Sequence, residues 1–193
     1  MNIPTEQHPL KPFIPSRAKI LMLGSFPPKQ ERWSMEFFYP NWINDMWRIM
    51  GYIFFGDKHH FEISARKVFD RDKIIEFCDI RGLALYDTAT EVRRLKDNAS
   101  DKFLEVVTPT DIASLITQLP SVTAIVTTGQ KATDTIVATF GCAEPAIGDY
   151  CNITIAGRTI HFWRMPSSSR AYPLALDKKA KHYAKMLQHE GVL

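Results

Sequence analysis

At 193 residues, 45% hydrophobic and 23% charged, the chain has the makeup of an ordinary globular protein and is long enough to bury a sizeable core, which excludes disordered and fibrous classes. A net charge of +3 permits a polyanionic partner without requiring one. Cys78, Cys142 and Cys151 form no CxxC pair, which argues against structural zinc or an iron–sulfur cluster and suits reduced, buried thiols.

No Ser/Gly-rich or Pro-rich linker interrupts the sequence, so one domain over residues 1–193 is expected. There is no 18-residue apolar run, and the opening MNIPTEQHPLKPFIP has no apolar core of signal-peptide length. A cytoplasmic monomer with no membrane contact is the expectation.

Residues 1–17 hold four of the twelve prolines and no periodic pattern, which predicts an extended arm on the domain surface. Lys19–Leu23 is a short apolar run stopped by Gly24, the pattern of a strand buried on both faces. Asn44 to Gly51 has helical spacing of Met46, Trp47, Ile49 and Met50, with Gly51 as the stop. Phe61 to Cys78 mixes apolar and charged residues and predicts one or two amphipathic helices broken near Asp70. Gly82–Tyr86 reads as a second strand, ending at Asp87-Thr88, and the charge-rich stretch Glu91 to Asp101 as a solvated loop. Pro109–Leu119 predicts a helix with Thr108 as N-cap and Asp111 in its first turn. Val122–Thr127 is a β-branched strand leading through Thr128-Gly129-Gln130-Lys131 into a helix from about Ala132 to Phe140. Cys151–Ile155 and Thr159–Trp163 flank Ala156-Gly157-Arg158 as a hairpin, and a basic helix, Leu176–His189, follows the loop Met165–Pro173.

Strands alternating with helices imply a three-layer α/β/α sandwich around a small, mostly parallel sheet. Ligands of such sheets bind beyond the carboxyl ends of the strands. Those ends carry Ser25-Phe26-Pro27-Pro28, Asp87-Thr88, Thr128-Gly129-Gln130-Lys131 and Pro166-Ser167-Ser168-Ser169-Arg170. Together they make an anion-binding rim with a pocket inside it.

GxxxxGK[ST], GxGxxG, nucleophile-elbow and HExxH patterns are all missing, so no cofactor is expected. The adjacent pair His59-His60 would point two ways, so no metal is expected either. The long segment between the first strand and Trp47 is rich in aromatics and amides. Tyr39 reads equally as core or as a ring that stacks on a planar ligand. Asn44 reads as an N-cap or as an amide holding a water or a base edge. Asp87 reads as a pocket acid or a cap.

These pieces carry a resemblance. Gly24-Ser25-Phe26-Pro27, the block Phe38 to Trp47, Gly82–Asp87, Thr128–Ala132 and Met165–Ser169 stand in the order in which they occur in the uracil-DNA glycosylase superfamily. The chain most resembles the branch known for hypoxanthine-DNA (deoxyinosine) glycosylase activity. The resemblance covers the chain from about residue 19 to its end. It departs at Pro28, where the family usually has Gly, and at Asn41-Trp42, where it has His-Pro; both positions belong to the pocket wall.

The resemblance implies a monofunctional glycosylase of base excision repair, whose partner is DNA containing a deaminated base, hypoxanthine first and uracil second. It implies catalytic roles for Asn44 and Ser25, base contacts from Phe26, Pro27, Tyr39 and Asp87, and DNA contacts from Lys131, Ser167, Ser168, Ser169 and Arg170. Arg170 or Tyr172 would probe the gap that the flipped base leaves. Two other classes remain open on the sequence: a catalytically silent nucleic-acid-binding relative, and an α/β hydrolase or transferase acting on a small nucleotide.

Overall fold

The computed structural model describes residues 3–96 and 101–193. In chain order the elements are β1 (Thr5–Gln7), β2 (Ile20–Gly24), α1 (Met46–Phe55), β3 (Glu62–Ile63), β4 (Val68–Phe69), α2 (Arg71–Arg81), β5 (Leu83–Asp87), β6 (Ala89–Arg94), β7 (Leu104–Pro109), α3 (Ile112–Gln118), β8 (Ala124–Thr127), α4 (Gln130–Phe140), β9 (Asp149–Ile155), β10 (Arg158–Arg164) and α5 (Leu176–His189).

The central sheet runs β5-β2-β8-β10-β9. Its first four strands are parallel and β9 is the antiparallel edge, joined to β10 as the expected hairpin. Every residue of β5 and β8, and Ile20 to Leu23 of β2, is buried, so both faces are covered, as continuous apolar strands require. Helix α5 packs against α1, α2 against β5 and α4 against β8. The α/β/α sandwich with a mostly parallel sheet is therefore the observed fold. Trp47 is 1% exposed, and its indole N–H donates to the Phe38 carbonyl at 3.0 Å, which satisfies its one polar atom inside the core.

Several elements differ from the sequence expectation. The helix expected over Asn44–Gly51 is α1, and it runs through Gly51. There the missing Cβ leaves room for the Asp57 carbonyl, and the helix stops instead at Gly56, which is left-handed at φ +67°. The stretch before Asp70 forms no α-helix but the β3–β4 hairpin, turned by a 3-10 helix over Ser64–Arg66, after which Asp70 caps α2 by accepting from the Lys73 N–H at 3.2 Å. The α3 helix is shorter than expected. Asp111, not Thr108, is its N-cap, accepting from the Ser114 N–H at 2.9 Å, and Pro109 closes β7 instead.

The largest correction is the stretch expected as a solvated loop over Glu91–Asp101. Residues 97–100 lie outside the described residues, but Glu91–Arg94 belongs to β6, the centre of a second sheet ordered β1-β6-β7. Register shifts between Ala89 and Glu91 and between Glu91 and Val92 break the alternation that marks a strand in sequence. The N-terminal arm is extended as expected but is tied down. Thr5–Gln7 pairs antiparallel with β6, and Phe13 bridges Leu85.

Candidate active site

The carboxyl ends of β2 and β5 lie side by side, with Gly24 opposite Asp87. A Cβ on Gly24 would collide with the Asp87 carboxylate, so glycine here is what lets that carboxylate lie across the strand end. Asp87 is neither a free pocket acid nor a helix cap. Its Oδ2 is 2.8 Å from Nε2 of His8, whose side chain is 2% exposed and packs against the rings of Phe26 and Tyr86. The arm thus covers this end of the sheet. Phe26 is buried with Ala89, Val92 and Leu104 in a small apolar cluster under the second sheet. Pro27 is buried beside it and its carbonyl accepts from Arg94. Neither side chain lines the cleft described next.

An open cleft of about 480 Å³ lies beyond β8 and β10, among Gly129, Lys131, Pro166, Ser167, Tyr172 and Asp101. The first turn of α4 contributes its unpaired amides to this cleft, and Lys131 adds a cation. Ser25 is buried and its hydroxyl donates to Asp101 Oδ2 at 2.8 Å. Asp101 as a whole residue is exposed, but its carboxyl is held against Ser25, and this local burial pushes it above the usual range. The Ser25 bond, Arg94 and Lys131 oppose that shift, and Asp87 adds to it.

Tyr39 sits at φ +51°, a left-handed conformation that costs a non-glycine residue about 1 kcal/mol or more. The strain aims its ring between Trp47, in edge contact at 6.1 Å, and the end of β8, where its hydroxyl meets Thr128 Oγ1 at 2.9 Å. Burial raises the phenol far above its ordinary value, so Tyr39 is a neutral hydrogen-bonding group.

The Asn44 segment and the serine loop are one structure. Asn44 bridges Ser169, the Asp45 N–H donates to the Ser168 carbonyl at 2.8 Å, and the Arg170 N–H donates to the Ile43 carbonyl at 3.3 Å. The N-cap of α1 is Asp45, not Asn44; Asn44, one residue earlier, accepts from the Met46 N–H through Oδ1 at 2.9 Å. Among the described residues Nδ2 has no hydrogen-bond partner of its own. Ser168 is 2% exposed and shapes the loop from within, while Ser167 faces the cleft and its Oγ accepts from the Ser169 N–H.

Two residues that the sequence reading missed hold this junction. The Asp45 carboxylate is 6% exposed and accepts from Arg170 Nε and Nη2 at 3.2 and 2.9 Å. Lys179 of α5 is 1% exposed, donates to the Ser169 carbonyl at 2.7 Å and lies 3.9 Å from Asp45 Oδ2. Burial lowers the Lys179 pKa, Asp45 opposes that shift and Arg170 adds to it. The signal was present in the sequence: Lys179 falls on the stripe of Leu176, Ala180, Tyr183 and Leu187, where a charge needs a buried partner. Arg170 itself is about half exposed and pinned to Asp45.

His59 pairs with Glu62 and His60 stacks on Phe55, so these two rings do point apart. Among the described residues a different group, His161, His189 and Glu190, has ligand atoms within 4.8 Å of one another. Its carboxylate already accepts from His161, Trp163 and Thr123, which clamps the end of α5 to the sheet.

No protein-family model matches the chain, and no curated relative does. Among solved structures it is similar to the solution NMR structure of a protein from Methanosarcina acetivorans described as a candidate uracil DNA glycosylase. The TM-score is 0.62 at 17% identity, over 94% of this chain and 96% of that one. At that identity the likeness is one of fold.

Proposed function

We propose that this chain is a monofunctional DNA glycosylase that takes a deaminated base out of the DNA stack and hydrolyses its N-glycosidic bond, with hypoxanthine the first candidate and uracil the second. The observation that carries the reading is the junction of the Asn44 segment with the serine loop, beside a cleft walled by the first turn of α4. A glycosylase needs a grip on phosphates, a planar pocket and a donor at the departing base, and these elements can supply all three.

Ser167, Ser169, Lys131 and the α4 amides would hold the backbone around the flipped nucleotide. Unstacking costs a few kcal/mol and is easiest at a mispaired, deaminated base. Cleavage of the bond leaves positive charge on the sugar and negative charge on the base. With Asn44 Oδ1 engaged by Met46, its Nδ2 would be the donor for that developing negative charge. Tyr39, held neutral and bonded to Thr128 at the end of β8, would supply a ring without adding charge. Hydrolysis without an amine nucleophile leaves an abasic site and an intact strand.

The test is excision from matched oligonucleotides carrying deoxyinosine, deoxyuridine or deoxyxanthosine, followed by alkali, with Asn44→Ala alongside. Excision that collapses in the variant supports the reading. DNA binding without excision of any lesion would replace it with a silent binder, and turnover of free nucleotides alone with small-molecule chemistry.

A further inference from the structure

Asn44 can stabilise the leaving base, but with Oδ1 committed to the helix end it is a poor acceptor for the proton of an attacking water. Simple hydrolysis needs such an acceptor. Among the described residues two carboxylates line the cleft, Asp101 and Asp134, and Asp134 already accepts from Gln130 at 2.7 Å. Of the other acids near this edge, Asp87 is covered by His8, and Asp45 is taken up by Arg170 and Lys179. Asp101 is different. One of its oxygens is fixed by the Ser25 hydroxyl, and its carboxylate faces the cleft beside Lys131 and Ser167.

We propose that Asp101 is the carboxylate that accepts the proton of the attacking water, and that Ser25 is the positioning residue that aims it. The proposal rests on the glycosylase reading above and assigns the water side of that reaction. As the bond between C1′ and the base nitrogen breaks, its electron pair leaves with the base. The water oxygen bonds to C1′ and one water proton passes to Asp101. The base anion takes up a proton from solvent, Asp101 returns its own to solvent, and the products are a hydroxylated abasic sugar and the free base.

A raised carboxyl pKa suits a base that must accept and then release a proton. The groups that set it are Ser25 on the first loop, Asp87 at the end of β5, Arg94 of β6 and Lys131 of α4. Only the ionised form can accept the proton, so the rate should climb as pH rises through the Asp101 pKa. Removing the Ser25 hydroxyl takes away a bond that favours the ionised form, so in Ser25→Ala this acid limb should move to higher pH.

The experiment is single-turnover excision with Asp101→Asn, Asp101→Glu and Ser25→Ala, with binding to an uncleavable abasic-site analogue measured in parallel. The expected result is a loss of about 10²–10⁴-fold in Asp101→Asn with analogue affinity kept, partial recovery in Asp101→Glu, and a displaced acid limb in Ser25→Ala. Excision by Asp101→Asn within about threefold of wild type, or an acid limb unmoved in Ser25→Ala, would overturn the assignment while leaving the glycosylase reading in place. If Asp101→Asn fails to fold, the acid limb of Ser25→Ala decides alone. A wild-type protein that excises nothing in the same assay would overturn the reading itself and this assignment with it.

Discussion

Asp45→Asn is the perturbation that tests how the serine loop is held. The substitution keeps the shape of the side chain and removes its charge, leaving Lys179 buried at 1% exposure with the Ser169 carbonyl at 2.7 Å and the Tyr172 ring at 5.9 Å but no anion. At 3.9 Å the lost attraction is about 4 kcal/mol at an effective dielectric near 20. Breaking a buried pair from one side typically costs about 3–5 kcal/mol. The Arg170 contact, with its guanidinium about half exposed, adds at most about 1 kcal/mol. For a chain of this length such a loss lowers Tm by about 6–20 °C.

The pH dependence has a definite sign. Burial already lowers the Lys179 pKa, and without Asp45 it falls further. A depressed folded pKa gives stability that is present above the unfolded lysine value and lost as pH falls through the folded one. The gap between variant and wild type should therefore be widest near pH 7 and close as pH approaches 10. Thermal unfolding followed by circular dichroism from pH 6 to 10 reads both effects. A Tm within about 2 °C of wild type at pH 7, or a gap that widens with pH, would refute the buried-pair reasoning.

Other variants separate the remaining contacts. Tyr39→Phe removes the hydroxyl that meets Thr128 and should cost about 0.5–1.5 kcal/mol in urea unfolding; no change would mean that the bond is not formed in solution. Gly24→Ala forces Asp87 aside and should destabilise the chain by about 1–3 kcal/mol, an effect that unfolding at neutral pH would detect. His8→Ala should loosen the arm from the sheet edge, seen as faster hydrogen exchange at the amides of Leu10, Phe13 and Leu85, while amides deep in β8 stay protected. Asp101 has its carboxyl pKa raised by folding, so it favours the fold below the unfolded carboxyl value and that contribution is lost as pH rises through the folded one. Asp101→Asn should therefore gain stability over wild type at pH 7 and lose that gain by pH 4, as paired thermal scans would show.

The central sheet was legible in the sequence because its strands are buried on both faces, so apolar runs such as Lys19–Leu23 and Val122–Thr127 mark them without any need for alternation. The bounds of α5 were legible for a related reason: Leu176, Ala180, Tyr183 and Leu187 recur at helical spacing along its buried face. The second sheet was not legible. Its central strand is bulged, its partner β1 is three residues of the arm, and its apolar cluster has only four buried members. Gly51 misled because a glycine inside a helix and a glycine ending one look alike until the chain packed against it is known.

Within the candidate site, Asn44, Ser25, Tyr39 and the serine loop could be read from local sequence. Asp45, Asp101 and His8 could not, because each acts through a partner at least 76 residues away in the chain, and for Lys179 the sequence marked a buried charge without naming its carboxylate. Phe26 shows the reverse limit. Its neighbours in sequence belong to the strand-end loop, but its ring belongs to the second sheet's cluster.

The most direct measurement is the product of a deoxyinosine duplex incubated with the wild-type protein, analysed by mass spectrometry before and after alkali. Monofunctional hydrolysis predicts free hypoxanthine and an intact strand carrying an abasic site, cut only after alkali. An unchanged duplex, or a strand already nicked before alkali is added, would contradict it.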